Sequence, residues 1–247
     1  MNELRRSLSR RYPGSVELGL AVALYALYEL VRGFGSTSLP LARAHTDDIV
    51  GLERSLHLFV EQSIQDGAHA VPGLPALLGV LYLSLHLIGT SLALVWVYRS
   101  HPERFPLVRT TIVTATALSL VIYVLYPAAP PRLAGLGFVD TVTQSAKVNL
   151  SSDALGSLYN PFAAVPSLHF GYALLVGVAI AAYATRPWAR IAGALYPLLM
   201  LFVIVATGNH FLFDAAAGGL VVVASWLLAR RVVQQREPAR RPVLVTA

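Results

Sequence analysis

The chain contains no cysteine among its 247 residues, which excludes disulfides, thiolate metal sites and cysteine nucleophiles. Charge is scarce as well. Asp, Glu, Lys and Arg make up only 13% of the residues, 55% are hydrophobic, and the mean hydropathy is +0.60. A soluble domain of this length needs roughly twice that charged fraction to cover its surface, so the long apolar runs must face something other than water. Lysine is nearly missing: of 19 basic residues only Lys147 is one, a bias that fits a GC-rich genome and says nothing about mechanism. The net charge of +6 does not point to nucleic acid, because the basic residues sit at the ends of apolar runs, where membrane proteins use them for orientation.

Six stretches read as membrane helices, each near the ~20 residues needed to cross about 30 Å of hydrocarbon. They cover approximately 16–34, 73–98, 107–126, 165–185, 189–207 and 210–230. The first has arginines before it, Glu29 within it and no small-residue cleavage site after it, so it reads as a retained helix. With these spans, 14 basic residues fall on one side, among them Arg5, Arg99, Arg186 and Arg230. Only five fall on the other: Arg32, Arg43, Arg54, Arg132 and Lys147. The positive-inside bias then places both termini in the cytoplasm. The expected fold is all-α: one six-helix membrane domain over 1–236, with a disordered cytoplasmic tail over 237–247.

Two connections stand out. The 35–72 segment is too polar to span, and within 43–66 the residues Ile49, Leu52, Leu56, Phe59, Val60 and Ile64 follow helical spacing. Asp47, Asp48, Glu53, Arg54 and Glu61 fall on other faces. An amphipathic helix on the membrane surface fits this pattern, as does a helix packed over the loops. The 127–164 loop is rich in Pro, Gly and Ser, and loops of that length are more often functional than accidental.

Three polar clusters interrupt the apolar chain: Ala129-Pro130-Pro131-Arg132, Asn160 to His169, and Gly208-Asn209-His210-Phe211-Leu212-Phe213-Asp214. By the topology above, all three lie at the outer ends of their helices. His210 and Asp214 are four apart and share a helix face. A carboxylate there accepts from one ring nitrogen, fixes the tautomer and leaves the other nitrogen free to attack. Histidine can be a covalent nucleophile, and His169 can then protonate the departing alkoxide. Pro166 suits the first turn of a helix. Amides there, with the Ser167 hydroxyl, form a cradle for phosphate, and Arg132 can grip phosphate oxygens in two places.

Lys147 fits an anchor or a phosphate ligand equally. His86, Asn160, Asn209 and Tyr172 are candidates for the surrounding shell, and His86 also fits a purely structural role. A zinc site would need His169 as third ligand beside His210 and Asp214; the reading favoured is metal-free, with no cofactor. A lipid or ion transporter would show broken helices or repeated halves near mid-membrane, whereas these polar residues gather at one surface.

The pattern Pro166-Ser167-x-His169, followed by Gly208-x-His210-x3-Asp214, resembles the type 2 phosphatidic acid phosphatase superfamily over most of the chain, roughly from the second span to the sixth. The resemblance implies a six-helix core and a metal-independent phosphohistidine mechanism. In it His210 is the nucleophile, Asp214 orients it and His169 is the acid. Three departures matter. Leu168 replaces a glycine, Val203 and Ile204 stand where Ser-Arg is usual, and Leu125 stands where a lysine would precede Arg132. These forms look closer to the inositol phosphorylceramide synthase-like branch. A site short of two cations suits a singly charged diester better than a doubly charged monoester, so head-group transfer between lipids is favoured over plain phosphatase action. The expected partners are a membrane lipid substrate and the bilayer itself; the oligomeric state stays open.

Overall fold

A computed structural model describes residues 14–34, 38–145 and 160–236. Lys147 and the 237–247 tail lie outside the described residues. Among the described residues the chain is helical, the one β feature being an isolated bridge between Ala128 and Ala163. The helices are α1 (Gly14–Phe34), α2 (Leu39–Ser55), α3 (Glu61–His69), α4 (Leu74–Ser100), α5 (Phe105–Leu125), a short α6 (Thr141–Gln144), α7 (Leu168–Tyr183), α8 (Pro187–Ala206) and α9 (Leu212–Arg236).

Four of these, α4, α5, α8 and α9, are long and apolar enough to cross a membrane. Large side chains such as Leu92, Leu125, Leu198 and Leu220 stand 60–75% exposed on their outer faces, as expected where lipid replaces water. The chain is a multi-pass membrane protein. The other two expected spans are helical but shorter as apolar segments: Gly14–Leu27 within α1, and α7. At 16 residues, α7 rises roughly 24 Å, less than the hydrocarbon thickness.

The single amphipathic helix expected over 43–66 is instead two helices. α2 starts with Ser38 as N-cap and Pro40 in its first turn. It ends where Leu58 N bonds back to Glu53 O at 2.8 Å and His57 takes a left-handed φ of 58°. This reversal sends α3 against α8 and α4. Two charged residues expected on the polar face are buried, Glu53 at 2% exposure on the same face of α2 as Thr46 and Ile49, and Glu61 at 0% at the start of α3.

Pro166 also departs from expectation. It precedes the helix instead of opening it, because Ser167 is the N-cap of α7 and accepts from Phe170 N at 3.3 Å. A hydroxyl that satisfies an orphan amide is a stronger start signal than a proline ring. α7 packs most extensively on α8 and next on α9. Gly218 makes the second contact possible: a Cβ there would clash with Ser167 O. The end of α5, the start of α7, the end of α8 and the start of α9 thus meet at one end of the bundle.

Candidate active site

The α8–α9 turn sets the geometry. Gly208 adopts φ +70°, and a Cβ there would lie 2.8 Å from Gln65 Nε2 and Val139 O. Both Asn209 N and His210 N fold back on Ile204 O. Arg132 N donates to Gly208 O at 2.9 Å, tying the first polar cluster to the third. Asp214, in the first turn of α9, accepts at Oδ2 from Phe211 N (2.9 Å) and faces His210 Nδ1 at 3.2 Å. The pair is buried, with His210 5% and Asp214 0% exposed.

Ser167 N donates to Asp214 O at 2.9 Å, which brings the start of α7 onto the start of α9. His169, in the first turn of α7, then lies with its ring centroid 5.6 Å from that of His210. Tyr82 stacks on His169 at 4.3 Å, and His86 approaches it at 4.0 Å. His86 occupies a π-helical turn, Leu85–Gly89, inside α4. Such bulges re-aim one side chain and recur at functional sites. Tyr172 stacks on the far side of His86 at 5.6 Å and hydrogen-bonds to Thr116 Oγ1.

His86, Asn160, His169, Asn209 and His210 line a cavity of about 440 Å³. Its remaining wall is mostly apolar or aromatic, including Leu83, Leu87, Leu120 and Tyr123, with Thr116 among it. Arg132, Asp214 and Tyr172 stand behind that wall, and Ser167 opens α7 directly before the wall residues Leu168 and His169. Arg132 Nη1 donates to Asn209 Oδ1 at 2.6 Å, and its Nε lies 3.6 Å from Asp140 Oδ2. Asn160 Oδ1 accepts from Phe162 N. The expected site residues that are described therefore gather around one cavity. Among the described residues no three His, Asp or Glu side chains are grouped as metal ligands.

The PAP2 superfamily model matches residues 47–228, well over half of the chain. The chain belongs to the PAP2 superfamily. It is accordingly an enzyme of the lipid-type phosphatase and phosphotransferase class. No curated protein and no solved structure matches it. In this PAP2 superfamily member, Val203 and Ile204 are buried in the apolar core at 0% exposure, while Leu125 points outward at 75%. None of these positions offers a cation to the cavity.

Two residues escaped the sequence reading. Glu61 Oε1 accepts from Leu212 N at 2.9 Å, and Glu53 Oε1 accepts from Phe213 N at 2.7 Å. As charged residues on an amphipathic segment they read as a solvated face, whereas Glu53 shares the buried face of α2 with Thr46 and Ile49, and Glu61 opens a separate helix after the reversal at His57. Asp140 beside Arg132 and Tyr82 beside His169 likewise carried no local signal.

Proposed function

We propose that this enzyme transfers a phosphorylated group from a membrane lipid through a phosphohistidine on His210. The observation that carries the reading is the His210–Asp214 contact at 3.2 Å, with His169 across the same cavity. With Nδ1 committed to Asp214, Nε2 is the attacking nitrogen. It displaces the lipid alkoxide from phosphorus, and His169 gives that oxygen a proton. Water or an acceptor hydroxyl then attacks the phosphohistidine, returning its proton to His169. No metal takes part. The Ser167 hydroxyl and the backbone amides that open α7 hold phosphate oxygens, with Lys147 as a further ligand. Arg132 contributes charge from behind Asn209 instead of a direct two-point grip.

The preferred substrate is a phosphodiester whose head group, of the inositol-phosphate type, passes to another lipid. The apolar residues at 203, 204 and 125 support this, since each missing cation weakens the hold on a doubly charged monoester more than on a diester. Six spans, with both termini cytoplasmic and the site extracytoplasmic, complete the reading. The unit is one domain over 1–236.

Mass spectrometry of lipid products from the purified enzyme tests the chemistry. Head-group exchange among diester phospholipids, unaffected by EDTA, is expected. Phosphate release from phosphatidic acid without exchange would return the enzyme to plain hydrolysis, and EDTA loss reversed by zinc would remove the metal-free mechanism. Because the chain has no cysteine, Asp47→Cys and Thr185→Cys, both exposed positions, report sidedness. Asp47→Cys should label from outside intact cells and Thr185→Cys should not; the reverse pattern inverts the topology.

A further inference from the structure

The first turn of α9 is held by more carboxylates than its own sequence supplies. A helix start leaves amides without intrahelical partners. Here Phe211 N goes to Asp214, Leu212 N to Glu61 of α3, and Phe213 N to Glu53 of α2. Each glutamate uses one oxygen in this way, and the outer oxygens, Glu53 Oε2 and Glu61 Oε2, are buried without a donor among the described residues. The two carboxyl groups accept from adjacent amides of one turn, which sets them side by side. Two adjacent buried anions repel and are poorly solvated. The charged group of α9 near them is Asp214, whose Oδ2 pairs with His210, just before the helix; Arg54 is exposed, lying over Phe59 instead.

We propose that Glu53 and Glu61 share one proton as an acid–carboxylate pair that clamps the start of α9 and so positions His210 and Asp214. Neither is a catalytic residue: both act through the helix backbone. Burial, followed by the neighbouring Glu61 charge, pushes the Glu53 carboxyl up from 4.5 to about 8, against the pull of the Phe213 amide. Glu53 therefore keeps its proton at neutral pH. A group raised in the folded state gives stability that is complete below about 4.5 and lost as pH rises through about 8. Above that pH the pair carries two charges and the clamp loosens. This also gives α2 and α3 a role in the site, beyond covering the bundle.

The positioning role rests on His210 being the nucleophile, so the test uses one readout that depends on chemistry and one that does not. Glu53→Gln supplies an acceptor for Phe213 N and a permanent donor for Glu61. In detergent, the thermal midpoint of the wild type should fall by several degrees relative to Glu53→Gln between pH 5 and 9. Parallel curves would overturn the shared proton. With bis(p-nitrophenyl) phosphate as probe, Glu53→Ala should lose about 10²-fold in kcat with KM little changed, the scale of a small misplacement. Glu53→Gln should restore most of that loss and abolish the alkaline decline near pH 8. Wild-type turnover in Glu53→Ala, or an unchanged alkaline limb in Glu53→Gln, would overturn the positioning role. Turnover that survives His210→Ala would remove the catalytic reading while leaving the unfolding result intact, so the two failures are distinct.

Discussion

Two kinds of carboxylate meet at the start of α9, and they differ in where they come from. Asp214 belongs to the helix itself, four residues after His210, and serves both the His210 ring and the Phe211 amide. Glu53 and Glu61 reach the same turn from 160 and 151 residues away along the chain. The local carboxylate touches an imidazole and can set its tautomer. The remote ones touch the backbone of α9 and each other, and can set only where the turn sits. One helix start thus separates chemistry from placement: direct contact with a ring that gains and loses a proton, against contact with amides that never do.

The largest effect should fall on the local pair. His210→Ala removes the covalent route and should abolish turnover on every substrate, a loss on the order of 10⁴-fold or more. Asp214→Asn keeps the shape but favours the wrong tautomer, and should cost about 10³–10⁴-fold in kcat. Single-turnover assays on a lipid substrate measure both. If Asp214→Asn cost no more than Glu53→Ala, the division between chemistry and placement would collapse.

His169 comes next, and its loss should depend on the substrate. General-acid catalysis is typically worth ~10²–10⁴-fold, and an acid matters least when the leaving group is already good. His169→Asn should therefore hurt release of a lipid alkoxide far more than release of p-nitrophenolate. Equal losses on both would show that His169 holds the site together, through its stacking on Tyr82 and His86, without giving up a proton.

The same contrast explains what could be read in advance. Apolar runs of span length disclosed α4, α5, α8 and α9, because lipid-facing composition is written residue by residue. The His210–Asp214 pair was legible as a short-range spacing, but not for the reason expected: α9 starts at Leu212, so His210 lies before the helix, and the pair forms because Asp214 Oδ2 reaches back to both Phe211 N and His210 Nδ1. The α2–α3 break was not, since it depends on His57 accepting a left-handed φ, which the amphipathic pattern does not encode. Glu53 and Glu61 were misassigned for the same reason: a glutamate on a polar face looks alike whether that face meets water or another helix's amides. His86 lay between these cases. Its type marked it as unusual within a span, but only the π-turn brings it onto His169.

Ser167 should give the smallest effect, and it asks whether a single side chain can belong to both categories. Its hydroxyl accepts from Phe170 N as the N-cap of α7, a placement role. A hydroxyl also carries one proton to donate, and that proton is the group proposed to hold a phosphate oxygen. Ser167→Ala loses both functions, whereas glycine is a tolerable N-cap and loses mainly the second. Alanine should cost about 1 kcal/mol of stability and glycine only a few tenths, read from thermal unfolding in detergent. If the hydroxyl also binds phosphate, KM should rise a few-fold and equally in both variants. If turnover instead tracks stability, falling in Ser167→Ala and holding in Ser167→Gly, Ser167 is a cap alone, and phosphate is held by the amides that open α7.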